Sequence, residues 1–218
     1  MSFVRSNIDA FAWQNSDMIG VDLEVAIHHL SIKLSSRPVR QKIRRFHPQQ
    51  QQQQIIREKV TRLLEVGSIW EIQYPKWLAH IVVVQKKNGK WRVCVDYFDL
   101  NEACPKDCFP LPWIDQIVYA TTGHKLLSFM DTYSRYNQIP MYSPDSEKTT
   151  FIIGDDIYYF NVIPFSLKNT RATYQCMVTR ILRSLLGKTM EVYVNDMLVK
   201  SSIRSKYLAH LHESFKLL

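Results

Sequence analysis

Apolar and polar positions alternate or recur along this chain in a pattern that predicts most of its elements. Ile56, Val60, Leu63 and Leu64 share one helical face, and Gly67 stands where a C-terminal cap belongs. The polar tract at residues 49–54 either begins that helix or is plain low-complexity sequence. Residues 78–85 and 90–96 read as a hairpin around Asn88-Gly89, with Trp91, Val93 and Val95 on one face and Arg92, Cys94 and Asp96 on the other. A helix is expected over residues 112–122, with Pro112 in its first turn, Ile114, Ile117 and Val118 apolar, and Gly123 after it. Residues 126–130 form a strand that ends at Asp131. Residues 149–153 and 157–163 form a second hairpin around Gly154-Asp155-Asp156, and Pro164 ends it. Asn169 is expected to cap a helix running to Leu186, with Ala172, Met177, Ile181 and Leu185 inward and Gly187 as the stop. Residues 191–194 and 197–200 form a third hairpin, joined through Asn195-Asp196. Leu208, Leu211, Phe215 and Leu218 mark a final helix, inside which the chain stops. Residues 1–36 are expected to be extended and packed loosely or not at all. This order predicts an α+β fold with helices covering one side of an antiparallel sheet.

Two of these elements carry chemistry. Asp131 ends a strand, and Asp196 stands at a hairpin tip. Two strand-end carboxylates brought together can hold a divalent cation for phosphoryl transfer. The plain alternative is a solvated loop residue and a good turn, since Asn and Asp tolerate positive φ.

Composition narrows the choice. With 218 residues, 46% of them hydrophobic, the chain can bury a sizeable core. No apolar run approaches the roughly 20 residues that span a bilayer, and the start lacks a signal-peptide pattern. A soluble intracellular protein with no membrane partner is expected. Cys94, Cys104, Cys108 and Cys176 are then expected to be free thiols, and they do not fall at zinc spacing. The net charge is +8, and residues 37–62 hold eight Lys or Arg against one acid, Glu58. Such a block suits a phosphate backbone or serves as a solvated basic linker.

A series of motifs then points to one family. They are Tyr74-Pro75-Lys76-Trp77-Leu78-Ala79, residues 82–96 (VVVQKKNGKWRVCVD), Asp99-Leu100-Asn101, and Phe109-Pro110-Leu111-Pro112. Phe129-Met130-Asp131 with Tyr136-Asn137-Gln138-Ile139 come next, then Pro164-Phe165, Leu167-Lys168-Asn169, Ala172-Thr173-Tyr174-Gln175 and Tyr193-Val194-Asn195-Asp196. In this order and spacing, over residues 18–218, the chain resembles the reverse transcriptase of gypsy-type long-terminal-repeat retrotransposons, of the kind abundant in plant genomes.

The resemblance implies a right-hand polymerase: fingers at about residues 50–110, palm at about 111–218, the thumb largely missing, and a polyprotein connector at 1–36. It implies an RNA-directed DNA polymerase acting on an RNA template, a DNA primer and deoxynucleoside triphosphates with two Mg2+ ions. The catalytic positions would be Asp131, Asn195 and Asp196, with Asp131 and Asp196 as metal ligands. Lys86, Lys87, Lys90 and Arg92 would grip the triphosphate, since a guanidinium binds phosphate bidentately. Tyr136 would close against the sugar and Phe165 would pack beneath the nucleotide; Tyr136 as a core tyrosine and the cations as an ordinary solvated hairpin tip are the alternatives. The compartment would be the cytoplasm, within a virus-like particle, or the nucleus; the resemblance implies no oligomeric state.

This chain departs from the family pattern. Asn195 stands where the family has Asp, and Arg135, Ser166 and Arg171 stand where it has Gly. Phe98 replaces a residue that is often polar or basic. A unit charge about 4 Å from a cation is worth on the order of 4 kcal/mol at an effective dielectric near 20, which translates into orders of magnitude in rate. Weak or absent polymerase activity, in a decayed and truncated copy, is therefore expected. A non-catalytic nucleic-acid-binding remnant and an inert fragment are the competing readings.

Overall fold

The computed structural model describes residues 2–13, 20–42, 50–132, 135–194 and 196–217. The chain runs through α1 (Ser2–Arg5), α2 (Gln50–Glu65), β1 (Ile69–Glu71), β2 (Ala79–Gln85), β3 (Trp91–Val95), α3 (Phe98–Ala103) and α4 (Ile114–Thr121). It continues through β4 (Leu126–Asp131), α5 (Ser143–Ser146), β5 (Phe151–Ile153), β6 (Asp156–Phe160), α6 (Thr170–Ile181), β7 (Met190–Tyr193), β8 (Asp196–Ser201) and α7 (Tyr207–Phe215). These elements form two compact units. The first comprises residues 1–19, 108–135 and 171–218; the second comprises 20–107 and 136–170.

The second unit is built on a five-stranded sheet in the order β1-β6-β5-β2-β3. β2 and β3 pair antiparallel from Ile81 opposite Val95 to Gln85 opposite Trp91, as the alternation predicts. β5 and β6 form the next hairpin, closed by Gly154 and Asp155, because Ile153 lies opposite Asp156. It is shorter than expected: Thr149 belongs to a 3-10 turn, and β6 ends at Phe160. The sheet as a whole is mixed, since β2 runs parallel to β5, with Ala79 opposite Phe151. Phe151 anchors its core, 1% exposed, with ring centroids 5.1 Å from Phe160 and 6.0 Å from Tyr158.

α2 begins within the glutamine tract. It ends as predicted at Gly67, at φ 65, with the Gly67 and Ser68 amides donating to the Leu64 and Leu63 carbonyls. Leu63 is buried, but Leu64 is exposed, against expectation. Each residue advances about 100° around a helix, so a narrow contact along Leu63 turns Leu64 to solvent.

Residues 20–36 are not loose. The Val21 amide donates to Gln138, the His28 amide donates to Pro140, and the Leu30 amide donates to the Asp145 carboxylate at 2.9 Å. His28 and Leu30 are 1% and 2% exposed. These backbone donors act as an added strand would, which hydropathy alone does not reveal.

The first unit holds an antiparallel sheet in the order β4-β8-β7. α7 covers it where Tyr207 hydrogen-bonds Ser128 of β4. Here too the start of the chain is packed: Phe3 and Phe11 stand 5.8 and 5.4 Å from Phe215 of α7. α6 differs from its predicted form. It ends at Ile181, its buried residues include Tyr174, Gln175 and Val178 besides Ala172 and Met177, and Leu182 just past its end is buried too. Asn169, at φ 69, does not cap it. Its side chain instead donates to the Pro105 carbonyl and accepts from the Asp107 amide. α4 buries none of its residues, and Ile114 and Val118 stay exposed. It is fastened to the sheet by a hydrogen bond from Lys200 to the Ala120 carbonyl, 2.8 Å. Among the described residues no helix is long and apolar enough to cross a membrane, and the four cysteines are free.

Candidate nucleotidyl-transfer site

In the first unit, Asp131 is the last residue of β4 and Asp196 the first of β8, and the two lie directly opposite in the antiparallel ladder. Directly opposed residues share a face of the sheet, with Cα atoms about 4.5–5.5 Å apart. Both carboxylates are exposed. Tyr193 of β7 completes the row on the far side of Asp196. The sheet thus ends in a row of Asp131, Asp196 and Tyr193, and two residues that are 65 apart in sequence sit side by side.

The turn differs from the sequence expectation by one residue. Tyr193 pairs with Asp196, so the two connecting residues are Val194 and Asn195. Asp196 is therefore a strand residue held by the ladder, not a turn residue. Val194 takes φ 54, a region that β-branched residues avoid. Asn195 lies outside the described residues.

What holds Val194 there is Gln175 of α6, 2% exposed. Its Oε1 accepts the Val194 amide at 2.6 Å, and its Nε2 donates to the Val192 carbonyl and to Thr179. The neighbouring Tyr174, 1% exposed, donates its hydroxyl to Thr132 Oγ1 at 2.8 Å, one residue past Asp131. Sequence reasoning placed Tyr174 and Gln175 in a motif but missed this role. A buried Gln inside an apolar helix pattern was the available signal.

Two rows further along the same face, Lys200 is 3% exposed. Its Nζ lies 2.7 Å from the Glu191 carboxylate. The buried cation is paired and hydrogen-bonded, as burial demands.

Divalent cations of the magnesium type take hard oxygen ligands. The Asp131–Asp196 pair supplies two carboxylates on one face, so the donor chemistry fits such an ion. Among the described residues no group of three or more His, Cys, Asp or Glu gathers at one point.

The second unit holds the other candidates. Lys86, Lys87 and Lys90 are exposed at the tip of the β2–β3 hairpin, where the Lys86 amide donates to the Lys90 carbonyl and Gly89 sits at φ 76. Arg92 projects from β3, and its guanidinium carbon stands 5.3 Å from the centroid of the Phe165 ring. Such a cation–π contact is worth about 0.5–1 kcal/mol at an exposed site. Tyr136 lies against the same ring, 6.2 Å centroid to centroid, and is itself 8% exposed. Arg92, Phe165 and Tyr136 therefore form one cluster, while the three lysines stay in solvent. The described side chains at Arg37, Arg40, Lys42, Arg57, Lys59 and Arg62 of the basic segment are exposed. Arg44 and Arg45 lie outside the described residues.

Two further motifs meet behind Phe165. The Asn101 amide group donates to the Ser166 carbonyl and its Oδ1 accepts the Lys168 amide, while Lys168 Nζ donates to the carbonyls of Asn101 and Cys104. Burial pushes the Cys104 thiol up. Ser166 takes φ 97, a conformation suited to glycine. Arg171 is exposed in the first turn of α6, and Phe98 is 68% exposed. Arg135 opens a 3-10 turn.

Residues 84–218 match the family described as reverse transcriptase (RNA-dependent DNA polymerase). The chain belongs to that family. It is 31% identical over 169 residues to the Pol polyprotein of transposon gypsy from Drosophila melanogaster, covering 75% of this chain and 16% of that polyprotein. It is 33% identical over 151 residues to the Pol polyprotein of transposon opus from the same fly, covering 67% and 15%. The chain thus spans about a sixth of the length of these curated relatives. Two solved structures are similar in fold: a foamy viral protease-reverse transcriptase in complex with double-stranded DNA and one in complex with an RNA/DNA hybrid. Their TM-scores are 0.83 and 0.84 at 21% identity, covering 100% of this chain and 37% and 28% of those chains. The fold is that of polymerase fingers and palm.

Proposed function

We propose that this chain is the fingers and palm part of an RNA-directed DNA polymerase from a gypsy-type retrotransposon, acting on an RNA template, a DNA primer and deoxynucleoside triphosphates. The observation that carries this reading is the register that sets Asp131 opposite Asp196 on one face of a sheet. Those two carboxylates would hold Mg2+, whose two ions, when bound, stabilise the attacking and leaving oxygens of nucleotidyl transfer. Arg92, with Lys86, Lys87 and Lys90, would bind the triphosphate; the cation–π contact with Phe165 supports a pre-oriented guanidinium. Tyr136, buried against Phe165, would shape the wall that meets the sugar. The exposed basic residues from Arg37 to Arg62 would attract the nucleic-acid backbone.

We assign fingers to about residues 50–110, palm to about 111–218 and a polyprotein connector to 1–36, although residues 136–170 pack with the fingers strands. The working compartment would be the cytoplasm or nucleus.

We further propose that this copy is impaired. Asn195 removes one anionic ligand, and Ser166 holds a glycine-type φ of 97. Both fit a decayed element. Primer extension on an RNA template with Mg2+ or Mn2+ tests this, beside an Asn195→Asp variant. The variant should extend primers at least about a hundredfold faster, since the restored charge is worth several kcal/mol near a cation. Equal rates would refute the impairment. The basic segment favours a second reading, a nucleic-acid-binding remnant. Silence in both proteins alongside salt-dependent RNA binding would select it.

A further inference from the structure

The carboxylate row is fastened from behind by two consecutive residues of one helix. Tyr174 reaches Thr132, directly after Asp131, and Gln175 reaches Val194, two residues before Asp196. Both residues are at least 98% buried, and the Gln175–Val194 bond lies in the interior while Thr132 is partly exposed. Val194 would not hold φ 54 unaided: a β-branched residue there is strained, and such outliers persist only where surroundings over-determine them. The surroundings here are Gln175, which accepts the Val194 amide and also donates to the Val192 carbonyl, gripping the β7 arm where it enters the turn.

We infer that Tyr174 and Gln175 are positioning residues that fix the spacing of Asp131 and Asp196 for a shared cation. This rests on the metal-binding reading of that pair. The ladder alone sets register, but strand ends fray, and both carboxylates sit at strand ends. A helix that grips the chain beyond each end removes that freedom. It holds the two ligands at a common height and lowers the ordering cost of binding.

The test is Mn2+ titration of the full chain, read by the electron paramagnetic resonance of free ion, for the unaltered protein and for Tyr174→Phe, Gln175→Met and Asp131→Asn. Amide hydrogen exchange and thermal melting are run on the same samples. Loss of the single Tyr174 bond should raise the Mn2+ dissociation constant about fivefold in Tyr174→Phe, and loss of the three Gln175 bonds at least about as much in Gln175→Met, with faster exchange at Val194 in the latter. A role confined to stability would lower the melting temperature and leave the Mn2+ affinity of the folded variants unchanged, which overturns the inference. Should Gln175→Met fail to fold, Tyr174→Phe removes a single oxygen and decides the matter alone. If Asp131→Asn binds Mn2+ as tightly as the unaltered chain, the metal reading itself falls, and the positioning role falls with it.

Discussion

The β2–β3 hairpin turns on Gly89 at φ 76, and every residue from Gln85 to Lys90 is exposed. The β7–β8 hairpin turns through Val194 at φ 54, which is 6% exposed. A glycine reaches left-handed backbone at no steric cost, so the first turn forms from local chemistry. A valine does not, so the second turn needs a partner, and Gln175 is that partner. Each device suits what its hairpin carries. Lysines that would meet flexible phosphates, as proposed, tolerate an exposed tip. Carboxylates that would share a cation, as proposed, need fixed separation, and the hydrogen bonds from Tyr174 and Gln175 would supply it.

The sharpest probe of this difference is Asp196→Asn. Removing a charge from the strand-held pair should weaken Mn2+ binding by about a hundredfold, equivalent to about 3 kcal/mol, as read by titration of the folded chain. A drop under threefold would mean the rigid hairpin serves no ion.

A second probe separates the two units by acid. His28 belongs to the second unit, and burial lowers its pKa from 6.5 to about 4, against a raising influence from Asp145. The neutral ring is therefore favoured in the fold, and the unfolded chain takes up the proton first as pH falls. Stability from this residue is complete above pH 6.5 and is lost progressively towards pH 4. Between about pH 7.5 and about pH 5 the loss should be about 2 kcal/mol in urea unfolding. His28→Gln should remove most of that fall. A variant that keeps the full slope would assign it to other groups.

The smallest effect concerns the glycine turn itself. A Cβ at Gly89 would meet nothing within 4 Å, so Gly89→Ala carries only the conformational penalty of positive φ. That should cost about 1 kcal/mol in the melt and leave Mn2+ affinity unchanged. If Mn2+ binding shifts, the two hairpins are not independent, and the contrast drawn between them fails.

Much of this was legible in the sequence. Alternation marked β3, an apolar run marked β4, Asn88-Gly89 marked the first hairpin, and Asp131 was read correctly as a strand end. The β7–β8 turn was misplaced by one residue for a physical reason: Asn195-Asp196 is the better local turn, and a tertiary bond from Gln175 selects another. The β2–β5 parallel pair could not be read, because residues 79 and 151 carry no local signal of each other. The Arg92–Phe165 contact and the Asn101–Lys168 bonds were likewise invisible, since each joins motifs that were recognised only singly. The packing of residues 20–36 was missed because it rests on backbone donors rather than on an apolar stripe.

The strand order β1-β6-β5-β2-β3 puts the later hairpin between two earlier pieces. As synthesis proceeds, β1 and the β2–β3 pair emerge with a gap between them that only β5 and β6 fill. Until residue 160 has appeared, that sheet is two fragments with open edges, which invite pairing with other chains. Assembly of this unit is therefore governed by a long-range insertion and should be slow for its size. A shortened product ending before Phe151 would present those edges permanently, and its fate is association rather than folding.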